Sequence, residues 1–235
     1  MLPNFYLDRD NLDFYLTALG KEYKKLSKHP VQIVLVGGGA IFIRYSFRMM
    51  SLDLDGLLYP YKSDSLKHAI RIVADKYNIP YGWLNDDFIK TDSYSKNIFI
   101  YSDFYKTYSN LIEVRIIDSI HLIAMKLKSF RSYKRDQSDI VEILLEEKHK
   151  GNFIKIENIK KAYIDLYKKV PSKEECDFLI YLYSKHDKWE SLFHEVIIEE
   201  DINKTEISKI NNNVEQKTAL KQSIIDLLLK KQSKK

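Results

Sequence analysis

Three consecutive glycines, Gly37, Gly38 and Gly39, constrain the fold of this chain more than any other feature of its sequence. The chain has only seven glycines, and glycine costs conformational entropy unless the backbone turns tightly or approaches a ligand. The residues before them, 31–36, are β-branched and almost wholly apolar, which is typical of a strand covered on both faces. The sequence therefore predicts a buried strand, a glycine turn and a short helix over residues 40–44.

Two aspartates on the next predicted strand, residues 52–59, give the clearest chemical signal. Asp53 and Asp55 are two residues apart, so on a strand their side chains point to one face with Cα atoms about 6.5 Å apart. Neighbouring carboxylates on an apolar strand repel each other, and a divalent cation removes that penalty. Free backbone N–H groups where a glycine turn enters a helix favour phosphate. The segment therefore predicts a combined metal and phosphate site.

The rest of the chain changes from mixed strands and helices to helices alone. Strands are predicted over residues 97–102 and 111–117, and residues 81–96 are predicted to be a loop. Helical spacing of apolar residues predicts helices over residues 8–26, 65–77, 119–130, 136–149, 156–169, 173–184, 187–199 and 205–231. This order predicts an α/β (α+β) fold with a mixed sheet flanked by helices, a first domain over residues 1–130 and a helical region over 131–235. The polar, Asn-rich residues 202–216 are predicted to form a linker.

The composition excludes several kinds of site. The single cysteine, Cys176, excludes an internal disulfide and a cysteine-rich zinc site, and it fits a reducing compartment. No apolar run reaches the length of a membrane span, and charged residues interrupt the N-terminal segment. We therefore expect a cytoplasmic protein that does not associate with membranes.

The order of strand, glycine turn, helix and aspartate strand resembles the nucleotidyltransferase superfamily of polymerase-β type. The resemblance is closer to a bacterial branch related to the AbiE-type toxin nucleotidyltransferases, and it covers roughly residues 30–165. The first part of that pattern is matched by Val36, Gly37, Gly38, Ala40, Arg48, Ser51, Asp53, Leu54 and Asp55. The later part is matched by the W-L-N-D segment at 83–86, the L-x-A-M-K-L helix at 122–127, Arg131, Asp136 and Asp139. Gly56 departs from the pattern, because an apolar residue usually follows the aspartate pair.

The resemblance implies a role for each matching residue. Asp53 and Asp55 would bind Mg²⁺ (or Mn²⁺) as catalytic residues. Lys126 would neutralise the negative charge that develops during the transfer. Nucleotide binding would fall to Gly37, Gly38, Gly39, Arg48, Ser51 and Lys126, with Arg131, Asp136 and Asp139 around them. Two alternatives stay open: Lys126 could extend to water, and Asp136 could only cap its helix.

A third carboxylate is also expected, since this superfamily uses one on a neighbouring strand. Glu113 is the first candidate for that catalytic role and Asp103 is the second. The competing interpretation of Glu113 is a charge at a strand edge that faces solvent.

By resemblance, the chain would transfer a nucleoside monophosphate from an NTP to a hydroxyl of an RNA, such as tRNA, or of a protein. Its setting would be a toxin–antitoxin or phage-defence system, with an antitoxin as a further partner. Two other functions stay open. One is a catalytically silent module that binds a nucleotide or a partner. The other is a small-molecule (antibiotic) nucleotidyltransferase, although the C-terminal half has no acidic cluster for a cationic substrate.

Overall fold

A five-stranded mixed sheet flanked by helices forms the centre of the protein in the computed structural model, which describes residues 5–59 and 63–209. The N-terminal elements are β1 (Leu7–Asp8), α1 (Arg9–Leu26), β2 (Val31–Val36), α2 (Gly37–Arg44), β3 (Met50–Ser51), β4 (Leu54–Tyr59), α3 (Asp64–Tyr77), β5 (Leu84–Asn85), β6 (Ser102–Tyr108) and β7 (Ile112–Ile117). The sheet order is β5-β4-β2-β7-β6, in which β2 runs antiparallel to β4 and parallel to β7. β1 and β3 form a separate antiparallel pair. The predicted mixed sheet is confirmed.

Helices alone make up the described part of the chain after β7. They are α4 (Ser119–Ser129), α5 (Asp136–His149), α6 (Ile156–Tyr167), α7 (Lys173–Ser184) and a last helix, α8, over residues 189–209. The predicted helical C-terminal half is therefore confirmed. Within the described ranges, no helix combines the length and apolar character needed to cross a membrane. The boundary between residues 130 and 131 stays a prediction.

Two opposite faces of β2 contact two different apolar clusters. Val34 and Val36 belong to a cluster with α4, α5, α6 and α7, whereas Ile33 and Leu35 belong to a cluster with α1 and α3. Because side chains alternate between the faces of a strand, β2 is covered on both sides, as its sequence predicts. The clusters contain one tryptophan each: Trp189 lies in the first and Trp83 in the second.

Two predictions in the middle of the chain are wrong. Residues 97–101 are not part of a strand, because Lys96–Phe99 forms a short 3₁₀ helix in which the Ser95 side chain accepts a hydrogen bond from the Asn97 backbone. The strand begins instead at Ser102, and its largely exposed edge position explains its weak apolar pattern. The predicted loop over 81–96 contains β5 and a 3₁₀ helix, Asp87–Lys90.

The predicted linker over 202–216 is also wrong as far as residue 209, because residues 202–209 continue α8. These residues are helical despite their polar composition, because α8 packs against the loop before α5. The Asn203 side chain donates a hydrogen bond to the Ser132 carbonyl at 3.1 Å. Residues 210–216, and the part of the predicted terminal helix after residue 209, lie outside the described residues.

Gly20 provides a test of the packing between α1 and the sheet. A Cβ at this position would lie 2.9 Å from the Tyr108 Cβ atom and 3.2 Å from the Tyr108 backbone carbonyl carbon. Alanine normally stabilises a helix interior by about 1 kcal/mol relative to glycine. We expect the clash to reverse this sign, so that Gly20→Ala lowers the free energy of unfolding in urea by about 1–3 kcal/mol.

Gly82→Ala is the matched control, because a Cβ at Gly82 would meet no heavy atom within 4 Å. Its free energy of unfolding should stay within about 0.5 kcal/mol of wild type. A stabilised Gly20→Ala variant would contradict the packing described for α1.

Candidate active site

A cleft of about 260 Å³ opens where β2 ends and α2 begins. One wall comes from β2, α2 and β4, and the other from α4 and the start of α5. The cleft is lined by Val36, Gly37, Gly38, Asp55, Asp87, Phe88, Thr91, Ser93, Leu122, Met125, Lys126, Ser129, Arg131 and Asp136. Residues predicted from separate motifs, before and after residue 100, therefore meet in one place.

The glycines form the first turn of α2, so the predicted start of this helix at residue 40 is wrong. Gly37 has a φ of +60°, which favours glycine, and a Cβ there would lie 2.9 Å from Asp55 Oδ2 and would displace that carboxylate. The helix has no side-chain cap, because its N-cap is Val36. Its first backbone N–H groups therefore remain available to an anion at the mouth of the cleft.

The three glycines do not share one role. Gly37 and Gly38 line the cleft, whereas Gly39 is buried against Leu54, whose Cδ2 atom would lie 2.7 Å from a Cβ at Gly39. A Cβ at Gly38 would lie 2.8 Å from Arg48 Nη1 and 3.0 Å from Ser51 Oγ. Arg48 and Ser51 therefore stand beside the first turn of α2, although neither lines the cleft itself.

The aspartate pair lies beside this turn. Asp55 is on β4, opposite Val36 of β2 and Asn85 of β5, and its side chain lines the cleft. Asp53 precedes β4 and is exposed, so the predicted strand start at residue 52 is wrong. The pair is nevertheless coupled electrostatically, because the charge of Asp53 raises the pKa of Asp55.

Burial and the negative charge of Asp53 together raise the pKa of Asp55 to about 6, although the positive charges of Lys126 and Arg131 act to lower it. Partial desolvation also raises the pKa of Asp53, against a hydrogen bond from the Asn85 side chain. Over the described ranges, no group of three or more His, Cys, Asp or Glu side chains is arranged to hold a metal ion. Two carboxylates with raised pKa values fit a divalent cation whose other ligands are substrate phosphates.

Lys126 lies between two buried carboxylates of α5. Its Nζ atom is 3.0 Å from Asp136 Oδ1 and 2.8 Å from Asp139 Oδ2. Burial lowers the pKa of Lys126, but the two aspartates outweigh burial, so the pKa is raised. The lysine is therefore a fixed positive charge at the wall of the cleft, and it does not extend into solvent as the alternative required.

Two arginines complete this charge network. Arg131 donates to both oxygens of Asp136, from Nε at 2.7 Å and from Nη2 at 3.1 Å. Arg48 Nη2 lies 2.6 Å from Asp139 Oδ1. Burial raises the pKa of Asp136, but Lys126 and Arg131 outweigh it, and the pKa lies below its usual value. The network thus contains three cations and two carboxylates, an excess of one positive charge beside the cleft.

Sequence similarity agrees with this geometry. Residues 15–190, more than half of the chain, match the sequence model of a family described as nucleotidyltransferase of unknown function (DUF6036). The chain belongs to this family. No curated protein and no solved structure matches it. Membership in this nucleotidyltransferase family supports nucleotidyl transfer in general, with an NTP as the substrate.

Neither predicted third carboxylate lines the cleft of this nucleotidyltransferase-family chain. Glu113 of β7 lies opposite Gln32 of β2, whereas Asp55 of β4 lies opposite Val36 of β2. The distance along β2 from Gln32 to Val36 is about 13 Å, so Glu113 and Asp55 are separated by about this distance along the strand direction. Glu113 instead accepts hydrogen bonds from Gln32 and Arg115 at 3.1 and 3.0 Å.

Asp103 is likewise not among the residues that line the cleft. Its Oδ2 atom lies 2.6 Å from Arg44 Nη2 at the sheet edge, and two thirds of its side chain is exposed. The structure therefore separates both predicted third carboxylates from the cleft.

Two residues that act directly on the aspartate pair were not predicted from the sequence. Asp87 lines the cleft, and its charge raises the pKa of both Asp53 and Asp55. Asn85 pairs with Asp55 across β4 and β5 and hydrogen bonds to Asp53. The W-L-N-D match was the available signal, since Trp83 is fully buried and fixes this segment through a hydrogen bond from its Nε1 to the Ile70 carbonyl.

The raised pKa of Asp55 predicts a pH-dependent stability. Its folded pKa of about 6 exceeds the unfolded value of 3.8, so folding favours the protonated form. The stabilisation is complete below about pH 4 and is lost as pH rises through 6. At pH 7 and without nucleotide or metal, Asp55→Asn should raise the free energy of unfolding by about 3 kcal/mol, and at pH 4 the difference should fall below about 1 kcal/mol.

Urea unfolding at a series of pH values from 4 to 7 measures this effect. Asp92→Asn, at an exposed position, is the control and should follow wild type throughout. A difference between Asp55→Asn and wild type that is equal at every pH would contradict the electrostatic account of Asp55.

Proposed function

We propose that this protein is a magnesium-dependent nucleotidyltransferase that transfers a nucleoside monophosphate from an NTP to a hydroxyl of RNA or protein. One observation carries the proposal. A single cleft joins the uncapped start of α2, Asp55 of the aspartate pair and the cations Lys126 and Arg131 in a chain of a nucleotidyltransferase family. An anion site, a candidate cation site and fixed positive charges are the parts that phosphoryl transfer requires.

The triphosphate would bind along the N–H groups of Gly37 and Gly38, with the excess positive charge around Lys126 and Arg131 facing it. Asp53 and Asp55 would hold Mg²⁺ (or Mn²⁺), which supplies charge neutralisation at the phosphates when bound. Lys126 cannot swing into the cleft without breaking its ion pairs with both Asp136 and Asp139. It would therefore stabilise developing charge as a preorganised electrostatic group.

The transfer step forms one bond and breaks one bond. The acceptor hydroxyl oxygen bonds to the α-phosphorus as the bond to the β-phosphate breaks, and pyrophosphate leaves. The hydroxyl proton passes to Asp87, the exposed third carboxylate that lines the cleft. Glu113 is too far along β7 for this role.

The acceptor is proposed to be a macromolecule, and the setting a toxin–antitoxin or phage-defence system. Three exposed apolar side chains, Met49, Met50 and Leu52, lie directly before Asp53, with 70%, 52% and 74% of their surface exposed. A run of exposed apolar side chains beside a catalytic cleft favours contact with a large partner. The toxin role rests on the resemblance to the AbiE-type nucleotidyltransferases.

Transfer of label tests the proposal. Purified protein with Mg²⁺, total RNA and each labelled NTP in turn should label RNA or protein, and the double variant Asp53→Asn/Asp55→Asn should transfer nothing. Asp87→Asn should lower turnover about a hundredfold, roughly 3 kcal/mol of transition-state stabilisation. Glu113→Gln is the matched carboxylate control and should stay within about twofold of wild type.

Nucleotide binding is measured in parallel by thermal unfolding. NTP with Mg²⁺ should raise the melting temperature of wild type and not that of the double variant, because a ligand bound only by the native state stabilises it. A wild-type protein that binds NTP but labels no RNA, protein or small hydroxyl acceptor would be a silent nucleotide-binding module. Turnover lost in Glu113→Gln and retained in Asp87→Asn would reverse the assignment of the third carboxylate.

A further inference from the structure

Helix α5 begins without a capping side chain of its own. Its N-cap residue is Arg135, whose side chain makes no capping hydrogen bond to the first turn. The first backbone N–H groups of a helix have no partner within the helix, and at a buried helix end they must find one elsewhere. The first turn of α5 is buried, since Asp136, Ser138 and Asp139 are all 3% exposed or less.

The missing cap comes from α8, a distant helix. The carboxylate of Glu200 accepts hydrogen bonds from the backbone N–H groups of Gln137 at 3.0 Å and Ser138 at 3.2 Å. Its second oxygen accepts from the Ser138 hydroxyl at 2.6 Å. These N–H groups are the second and third of the helix, which an N-cap side chain normally binds. A negative charge also suits the positive end of the helix dipole.

Further contacts hold the loop before α5 to the same helix. Arg135 Nη2 donates to both oxygens of Asp201, at 2.9 and 3.1 Å. Asn203 donates to the Ser132 carbonyl from the next turn of α8. This loop follows Arg131, which lines the cleft, so α8 holds both the helix and the loop that carry the charge network.

The cap lies one turn or less from the charges of the cleft. Asp136 precedes Gln137, and Asp139 follows Ser138, and these two aspartates fix Lys126. A shift of the first turn of α5 would therefore move both carboxylates and the lysine that depends on them. Glu200 lies outside the residues 15–190 that match the nucleotidyltransferase family, so this support comes from beyond the matched region.

We infer that Glu200 is a positioning residue for nucleotidyl transfer, because it caps α5 from α8 and thereby fixes Asp136, Asp139 and Lys126 at the cleft. This inference rests on the proposed function for its kinetic consequence. Without Glu200 the first turn of α5 loosens, Lys126 is no longer preorganised, and the stabilisation of the transition state falls more than substrate binding does.

The experiment compares Glu200→Ala, Glu200→Gln and Ser138→Ala with the neighbouring exposed control Glu199→Ala in the full-length protein. Turnover and its dependence on NTP concentration are measured by label transfer with Mg²⁺, at a temperature at which each variant stays folded.

Glu200→Ala should lower kcat about tenfold and change KM for NTP less than about threefold. Glu200→Gln keeps an oxygen that accepts both backbone hydrogen bonds, so it should recover kcat to within about threefold of wild type. Ser138→Ala removes one of the three bonds and should give an intermediate loss.

A purely structural role would lower the melting temperature and leave kcat per folded molecule equal to that of Glu199→Ala, and this result would overturn the inference. If Glu200→Ala does not fold, Glu200→Gln and Ser138→Ala decide the comparison. A kcat near that of wild type for Glu200→Gln, together with a lower kcat for Ser138→Ala, supports the inference. An unchanged kcat for Ser138→Ala overturns it. Should wild type transfer no label, the proposed function fails, and the positioning role in transfer fails with it. If wild type transfers label and the variants match Glu199→Ala in kcat, only the inference fails.

Discussion

The buried charges of Asp136 and Asp139 determine how the parts of the chain around the cleft come together. A carboxylate that is fully desolvated is very costly unless cations and hydrogen bonds surround it. The required cations come from three places: Lys126 from α4, Arg131 from the loop after it, and Arg48 from the segment before β3. Arg48 reaches Asp139 across 91 residues of sequence, so this pair ties the glycine and aspartate segment to the helical half.

The same network sets the electrostatics of the metal-binding candidates. Asp55 is half-buried and lies beside Asp53, and both effects favour its protonated form. Lys126 and Arg131 act in the opposite direction and keep the pKa of Asp55 near 6. The carboxylate can therefore ionise near neutral pH, where a nucleotide-bound cation would need it. The charges of Lys126 and Arg131 thus act on Asp55 without an ion pair to it.

The sequence predicted those parts of the site that depend on local spacing. The strand before the glycines and the aspartate pair are each readable within a few residues, whereas Lys126, Asp136 and Asp139 were indicated by the family resemblance. The position of Glu113 was not readable, because it depends on the register between β2 and β7, and alternation within one strand does not specify register. The edge strand β6 was misplaced because its exposed face removes the apolar signal. Glu200 could not be found either, since its partners lie more than sixty residues away.

The two tryptophans of the chain lie on opposite sides of β2, each buried in a different cluster. Indole fluorescence shifts to longer wavelength when the ring becomes hydrated, so each residue is an intrinsic probe of its own cluster. With Trp189→Phe the remaining emission reports the cluster of α1 and α3, and with Trp83→Phe it reports the cluster of the later helices. Coincident denaturation curves from the two proteins would show that the sheet couples both faces into one cooperative unit.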